Sequence, residues 1–311
     1  MKRKWKLRIA LTVGLLVGLV LMLGGGAWYL VRGKPSWYTQ STLSPSERAD
    51  AARQLENKLI ETRNWASASQ AAERASDRQA RQDASTRPIG SVVTPAPVVT
   101  EPITVTFTQE ELNAFFQKWS VTNGWKSNLD RFVTDPLISL QKNRVIFAGL
   151  VTSNSVNSVL SVHFSPRITP EGKLDVNMDR ILAGRLPMPE AVLSDYRNKV
   201  IEALHQKLPV WQTDAKLDAS GTTNQSFVHA AMGKLMLATL THTPAEPVIF
   251  LPIDQRGIAA KLTGMSVDDG SITFTVERIT PEDRADLLER LREPVGTARV
   301  QEHTPIIPVS R

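Results

Sequence analysis

The stretch Leu174-Asp-Val-Asn-Met-Asp-Arg-Ile181 decides the fold class: Leu174, Val176 and Met178 alternate with Asp175, Asn177 and Asp179. A period of two puts apolar side chains on one face of a strand and polar ones on the other. That is the pattern of an antiparallel sheet with one solvated face. The same alternation recurs upstream, where Leu160, Val162 and Phe164 are offset from Ser161 and His163 in a strand expected over 156–164. Working outward, strand patterns at 136–141 and 144–153 are joined by Lys142-Asn143, and Thr169-Pro-Glu-Gly-Lys173 leads into the central stretch. These runs spell a β-meander.

The chain on either side adds helices. Ile103-Thr-Val-Thr-Phe107 is a strand, and Thr108-Gln-Glu-Glu111 is a capping box opening a short helix with Leu112, Phe115, Phe116 and Trp119 on its apolar side. After the meander, Gly184-Arg-Leu186-Pro187-Met-Pro189 reads as a rigid turn: glycine admits unusual backbone angles, and each proline fixes φ. An amphipathic helix carrying Leu193, Tyr196, Val200 and Leu204 follows, closed by Leu208-Pro-Val-Trp211. Another, at about 223–240, buries Phe227, Ala231, Leu235 and Ala238. Strands return at 248–253, 257–263 and 264–267, and Asp268-Asp-Gly270 turns the chain into a last strand at 271–277. Thr280-Pro-Glu-Asp283 caps a final helix to about Arg292. The expected fold is α+β: one antiparallel meander sheet with amphipathic helices on one face, over a domain at 103–294, with a disordered tail at 295–311.

The N-terminal part has a different character. Residues 9–31 contain no charge and are preceded by Lys2, Arg3, Lys4, Lys6 and Arg8. At about 1.5 Å per residue they reach roughly 34 Å, enough for one crossing of a hydrocarbon layer about 30 Å thick. The basic segment 1–8 orients the N-terminus to the cytoplasm, so the C-terminal domain lies outside the cytoplasmic membrane. Trp28, Tyr29, Trp37 and Tyr38 are the types that settle at the outer interface. A cleaved signal peptide, cut near Gly25 and Ala27, is the rival reading, although the apolar run continues past that point. Ala10, Gly14 and Gly18 share one face of the span, and the GxxxG pair suggests a homodimer through that helix.

Between anchor and domain, Ser44-Pro-Ser-Glu47 opens a helix whose stripe Ala52, Leu55, Leu59, Thr62 and Ala66 reads as a stalk over 32–66. Packing of the stripe on the domain or on a second copy is the alternative. Residues 67–102 read as a linker, Ala/Ser/Gln-rich and then Pro-rich, with Ala-rich helicity open for its first half.

Charge narrows the function. The chain holds 37 Lys and Arg against 31 Asp and Glu, for +6. Residues 1–34 contribute seven basic side chains and no acid, which leaves −1 on the rest and no basic surplus for nucleic acid. There is no cysteine, hence neither disulfide nor lipidated thiol. His163, His205, His229, His242 and His303 show no metal-ligand spacing, and nucleophile-elbow, P-loop and dinucleotide motifs are lacking. No metal, cofactor or catalytic residue is expected.

The basic anchor, Thr108-Gln-Glu-Glu-Leu-Asn113, the meander, Gly184-x-Leu186-Pro187-x-Pro189 and Leu208-Pro-x-Trp211 together resemble the YpmS-like family of uncharacterised membrane-anchored bacterial envelope proteins. The likeness covers about 103–211 plus the anchor, and it implies topology and location without an activity. The expected function is non-catalytic binding of a lipid or other apolar ligand, in a groove lined by Phe107, Phe115, Phe116, Phe164, Phe250 and Phe274. A scaffold holding an envelope protein partner at the bilayer is the alternative.

Overall fold

The computed structural model describes residues 30–39, 42–86, 101–122, 133–153, 156–218, 222–253 and 256–292. Residues 9–29 of the expected span, with its Ala10, Gly14 and Gly18 face and with Trp28 and Tyr29, most of the Pro-rich linker and the tail lie outside the described residues. Among those described, no helix is long and apolar enough to cross a membrane.

The structure is α+β with antiparallel sheets, but there are two sheets where the sequence suggests one. Strands β1 (Ile103–Thr108), β10 (Ser271–Arg278), β9 (Arg256–Asp268) and β7 (Thr222–Thr223) form the first, with β8 (Val248–Ile253) also on β9. The meander β2 (Thr134–Gln141), β3 (Arg144–Ser153), β4 (Val156–Ile168), β5 (Leu174–Ala183) and β6 (Leu186–Pro187) is the second. Chain order hides the split, because β1 finds its partner at the far end: Ile103 lies opposite Val276 and Phe107 opposite Ile272. Threonine hydroxyls tie that pair together, Thr106 to Thr273 at 2.8 Å. The sheets meet at their turns, where Asn143 N donates to Val267 O and Gly270 N to Leu140 O.

Among the described residues, five long helices complete the domain. Helix α1 (Pro45–Thr86) has the expected capping box, Ser44 N donating to Glu47 Oε2 and Glu47 N to Ser44 Oγ. It does not stand off as a stalk. Leu55 is buried with Val105, Phe107, Leu140 and Val145, drawing on both sheets, and Ala66 packs with Leu174, Ala260 and Leu262. Lys58 reaches Glu111 at 2.7 Å and Lys118 reaches Glu56 at 2.7 Å, which fixes α1 beside α2 (Gln109–Thr122). Nor is 67–86 an extended linker. Its Ala, Gln and Arg content favours helix, and the docked first half supplies the costly nucleus from which the helix propagates.

Helix α3 (Glu190–Asp214) runs through Pro209, past the end expected at Leu208. Burial of Leu208 and Gln212 on both sides of the proline, with Gln212 Nε2 donating to Leu291 O, holds the helix across the missing N–H. Helix α4 (Gln225–Thr241) starts at Asn224, whose side chain accepts from Phe227 N, and lies close on α3: a Cβ on Gly233 would stand 2.9 Å from Leu208 Cδ2. Helix α5 (Pro281–Arg292) is capped by Thr280. Helices cover both faces of the first sheet, α1 on one and α4 and α5 on the other, so the single roofed face is corrected as well.

The polar side of the meander is solvated only in part, with Asp179 exposed. Ser161 and His163 are buried under residues 30–39: the Trp37 ring stands edge-on to His163 at 5.9 Å, and Tyr38 packs with Ala148 and Val159. Tyr38 also donates its hydroxyl to Asp135 O. Trp37 and Tyr38 are thus part of the folded core. Asp175 is buried against Arg167 at 2.8 Å.

Candidate apolar binding site

On the first sheet, Phe250 and Ala259 are cross-strand neighbours on the face opposite α1. Helix α4 lays Phe227, Ala231, Leu235 and Ala238 over this face, and α5 contributes Leu287 and Leu291. Phe227 is fully buried, its ring T-shaped to Phe250 at 5.7 Å. Alanines at 231 and 238 are too short to complete the packing there. The result is a half-open cavity of about 310 Å³ lined mainly by apolar side chains, with Lys234, Thr241, Thr243, Glu246 and Arg290 among them. That volume sits at the low end for small-molecule sites.

A second cavity of about 220 Å³ adjoins the first and shares Glu246, Val248, Leu287 and Arg290 with it. Its further lining combines the charged Lys173, Lys261, Glu171 and Asp283 with Gly172, Pro247 and Ile279. The β-bridge between Leu174 and Ala245 brings Glu246 to Lys173 Nζ at 2.5 Å, and the same carboxylate lies 3.6 Å from Arg290.

The six phenylalanines of the expected groove do not converge. Phe107 and Phe274 pack together at 6.0 Å in the core between sheets, and Phe115 joins them there. Phe116 is half-buried on α2. Phe164 meets Phe147 edge-to-face at 5.7 Å on the second sheet. Only Phe250 lines the cavity. The stretch expected to be a sealed helix face, Phe227 to Ala238, lines it in full, and its alternation of large and small side chains was the available signal.

A second apolar surface also escaped the sequence. Ile138, Phe147, Val162 and Ile181 stand opposite one another across four strands, and Phe147 is 49% exposed. The row ends near the Gly184 turn, where Leu186 pairs with Ala183, Pro187 with Leu182, and Pro189 caps α3. Gly184 takes φ +61°, as the turn requires, and its N–H donates to Val159 O. This turn holds the end of the apolar segment: Arg185 N donates to Leu30 O at 2.9 Å and Ser158 Oγ to Val31 O at 2.7 Å.

Among the titratable groups, His163 stands apart. Burial, followed by the Arg180 and Arg144 charges and opposed by Asp179, pushes its imidazole down to about 4. The folded state keeps the ring neutral, while the unfolded chain takes up a proton below about pH 6.5. Stability is therefore expected to fall as pH drops from about 6.5 to 4, by about 2–3 kcal/mol in all. Urea midpoints across that range should show the slope, and His163→Asn should flatten it. Asp268 and Asp269 sit at the β9–β10 turn as expected, with Asp269 accepting from Lys142 N.

Among the described residues no three His, Asp or Glu side chains are grouped to hold a metal. Compared with family models, curated proteins and solved structures, the chain matches none of them.

Proposed function

We propose that this chain is a single-pass protein of the cytoplasmic membrane, anchored by residues 9–31 with its N-terminus inside, whose outer domain binds a lipid-derived apolar ligand without catalysing a reaction. The cavity between β8, α4 and α5 carries this reading: it has a mainly apolar lining, a half-open mouth and a volume of about 310 Å³. The uncharged run and its basic flank support the anchor. Docking of Leu30 and Val31 on the Gly184 turn keeps the domain at the mouth of the span, beside a reservoir of acyl chains. The likeness to the YpmS-like family points to the same location.

Native mass spectrometry of the full chain released from nanodiscs tests the reading. Retention of one lipid or fatty acid per chain is expected, reduced when Ala231→Leu and Ala238→Leu fill the cavity. Identical, ligand-free spectra for both proteins, with no uptake of added acyl ligand, would exclude it.

One observation favours the scaffold as a second reading. Val192, Tyr196 and Val200 form an exposed stripe on the first half of α3. A photo-crosslinker at Tyr196 that captures one specific envelope protein, with no ligand in the cavity, would favour it.

A further inference from the structure

The two adjoining cavities differ in the charge of their linings: six of the eleven residues around the smaller are charged, against three of the seventeen around the larger. We infer that together they form one site for a single-chain fatty acid, the acyl chain in the apolar cavity and the carboxylate at the charged one. The inference rests on the binding function proposed above and adds the class of ligand.

Three observations carry it. The two cavities are neighbours that share Val248, Leu287, Glu246 and Arg290 in their linings. At roughly 30 Å³ per chain carbon, close to the volume of a water molecule in the liquid, about 310 Å³ accepts about ten carbons. One chain of medium length fits, and two do not.

Charge decides the head. Glu246 is shared by Lys173 at 2.5 Å and Arg290 at 3.6 Å, so one carboxylate serves two cations. Lys261, half-buried on β9, stands between Val248 on β8 and Glu277 on β10, and among the described residues no carboxylate closes on it as an ion pair. Of the other two carboxylates lining this cavity, Glu171 is held by the Thr169 hydroxyl, and Asp283 belongs to the first turn of α5. A second carboxylate arriving beside Glu246 would complete the pairing of Lys261 and Arg290 by charge-assisted hydrogen bonds. A neutral alcohol of the same chain length would leave those cations as they are.

The full chain in nanodiscs, with empty discs as the partition control, is titrated with decanoate and with decanol by equilibrium dialysis. Decanoate is expected to bind about tenfold more tightly than decanol, the gain of one charged hydrogen bond. Lys261→Met should abolish that difference and leave decanol affinity unchanged, and Lys261→Arg should restore it. Glu246→Gln, which releases two cations, should widen it.

Equal affinity for the two probes, or a Lys261→Met change that moves both or neither, would overturn the carboxylate site while leaving the apolar cavity as a binding site. Absence of binding for both above the control would remove the cavity function and this inference with it. Unchanged decanol binding also reports that Lys261→Met is folded.

Discussion

Replacing Phe227 by alanine is expected to destabilise the domain by about 3–5 kcal/mol, the range for removing a fully buried aromatic ring. Phe227 is 0% exposed, in a cluster where Ala215, Ala230 and Ala259 stand beside Ile279, Leu287 and Leu291. Short neighbours cannot move in to fill the space, and the edge contact to Phe250 at 5.7 Å is lost as well. The cost should therefore lie toward the upper end. Urea denaturation of the full chain checks it through the shift in midpoint at constant slope. Phe147→Ala is the contrast: with the ring 49% exposed, its removal should cost less than about 1.5 kcal/mol. Because Phe227 also lines the cavity, its loss should lengthen the acyl chain that the site accepts.

Gly184→Val is expected to detach residues 30–39 from the second sheet. At φ +61° a β-branched residue is strained, and a Cβ would stand 2.2 Å from Val31 O and 2.4 Å from Leu30 O. The backbone of 30–31 must move, which breaks the bonds from Arg185 N and Ser158 Oγ and loosens Trp37 and Tyr38. About 2–4 kcal/mol is expected, the upper part of the range for a single substitution. Faster tryptic cleavage after Arg32 should accompany it. Gly172→Val supplies the control: φ is also positive there, at +72°, but nothing lies within 4 Å of the added Cβ. Only the backbone strain remains, about 1–2 kcal/mol without new cleavage.

The contact at Gly184 changes the arrangement imagined from sequence. A stalk and a long linker would let the domain range away from the apolar run. Docking at residues 30–31 instead ties the domain to the end of the apolar run, and the long α1 folds back over the sheets.

Elements with local signals were legible. The capping box at Thr108 and Glu111 forms as read, with Thr108 N to Glu111 Oε2 at 2.9 Å and Glu111 N to Thr108 Oγ1 at 3.2 Å. The Asp-Gly turn before Ser271 and the strand at 248–253 fall where the pattern puts them. What failed depends on partners remote in sequence. Pairing of β1 with β10 joins residues about 170 positions apart, so alternation alone could not say that β1 leaves the meander. The polar face of β4 looked solvated because nothing near it in sequence announces that Trp37 and Tyr38 cover it.

The site was half legible for the same reason. Apolar spacing on α4 marked Phe227, Ala231, Leu235 and Ala238 as one face, while the space left by its alanines appears only when Phe250, Leu287 and Leu291 stand opposite. Phenylalanines assigned to a groove by residue type went to separate cores, since each follows the register of its own strand or helix.

The most direct measurement of the central claim is the position of a bound chain. A crystal structure of the protein grown with 10-bromodecanoate should show a bromine anomalous peak between Phe227, Phe250 and Leu287, with the carboxylate near Lys261 and Arg290. A peak on the open sheet face at Phe147, or none at all with the ligand present in excess, would contradict the account.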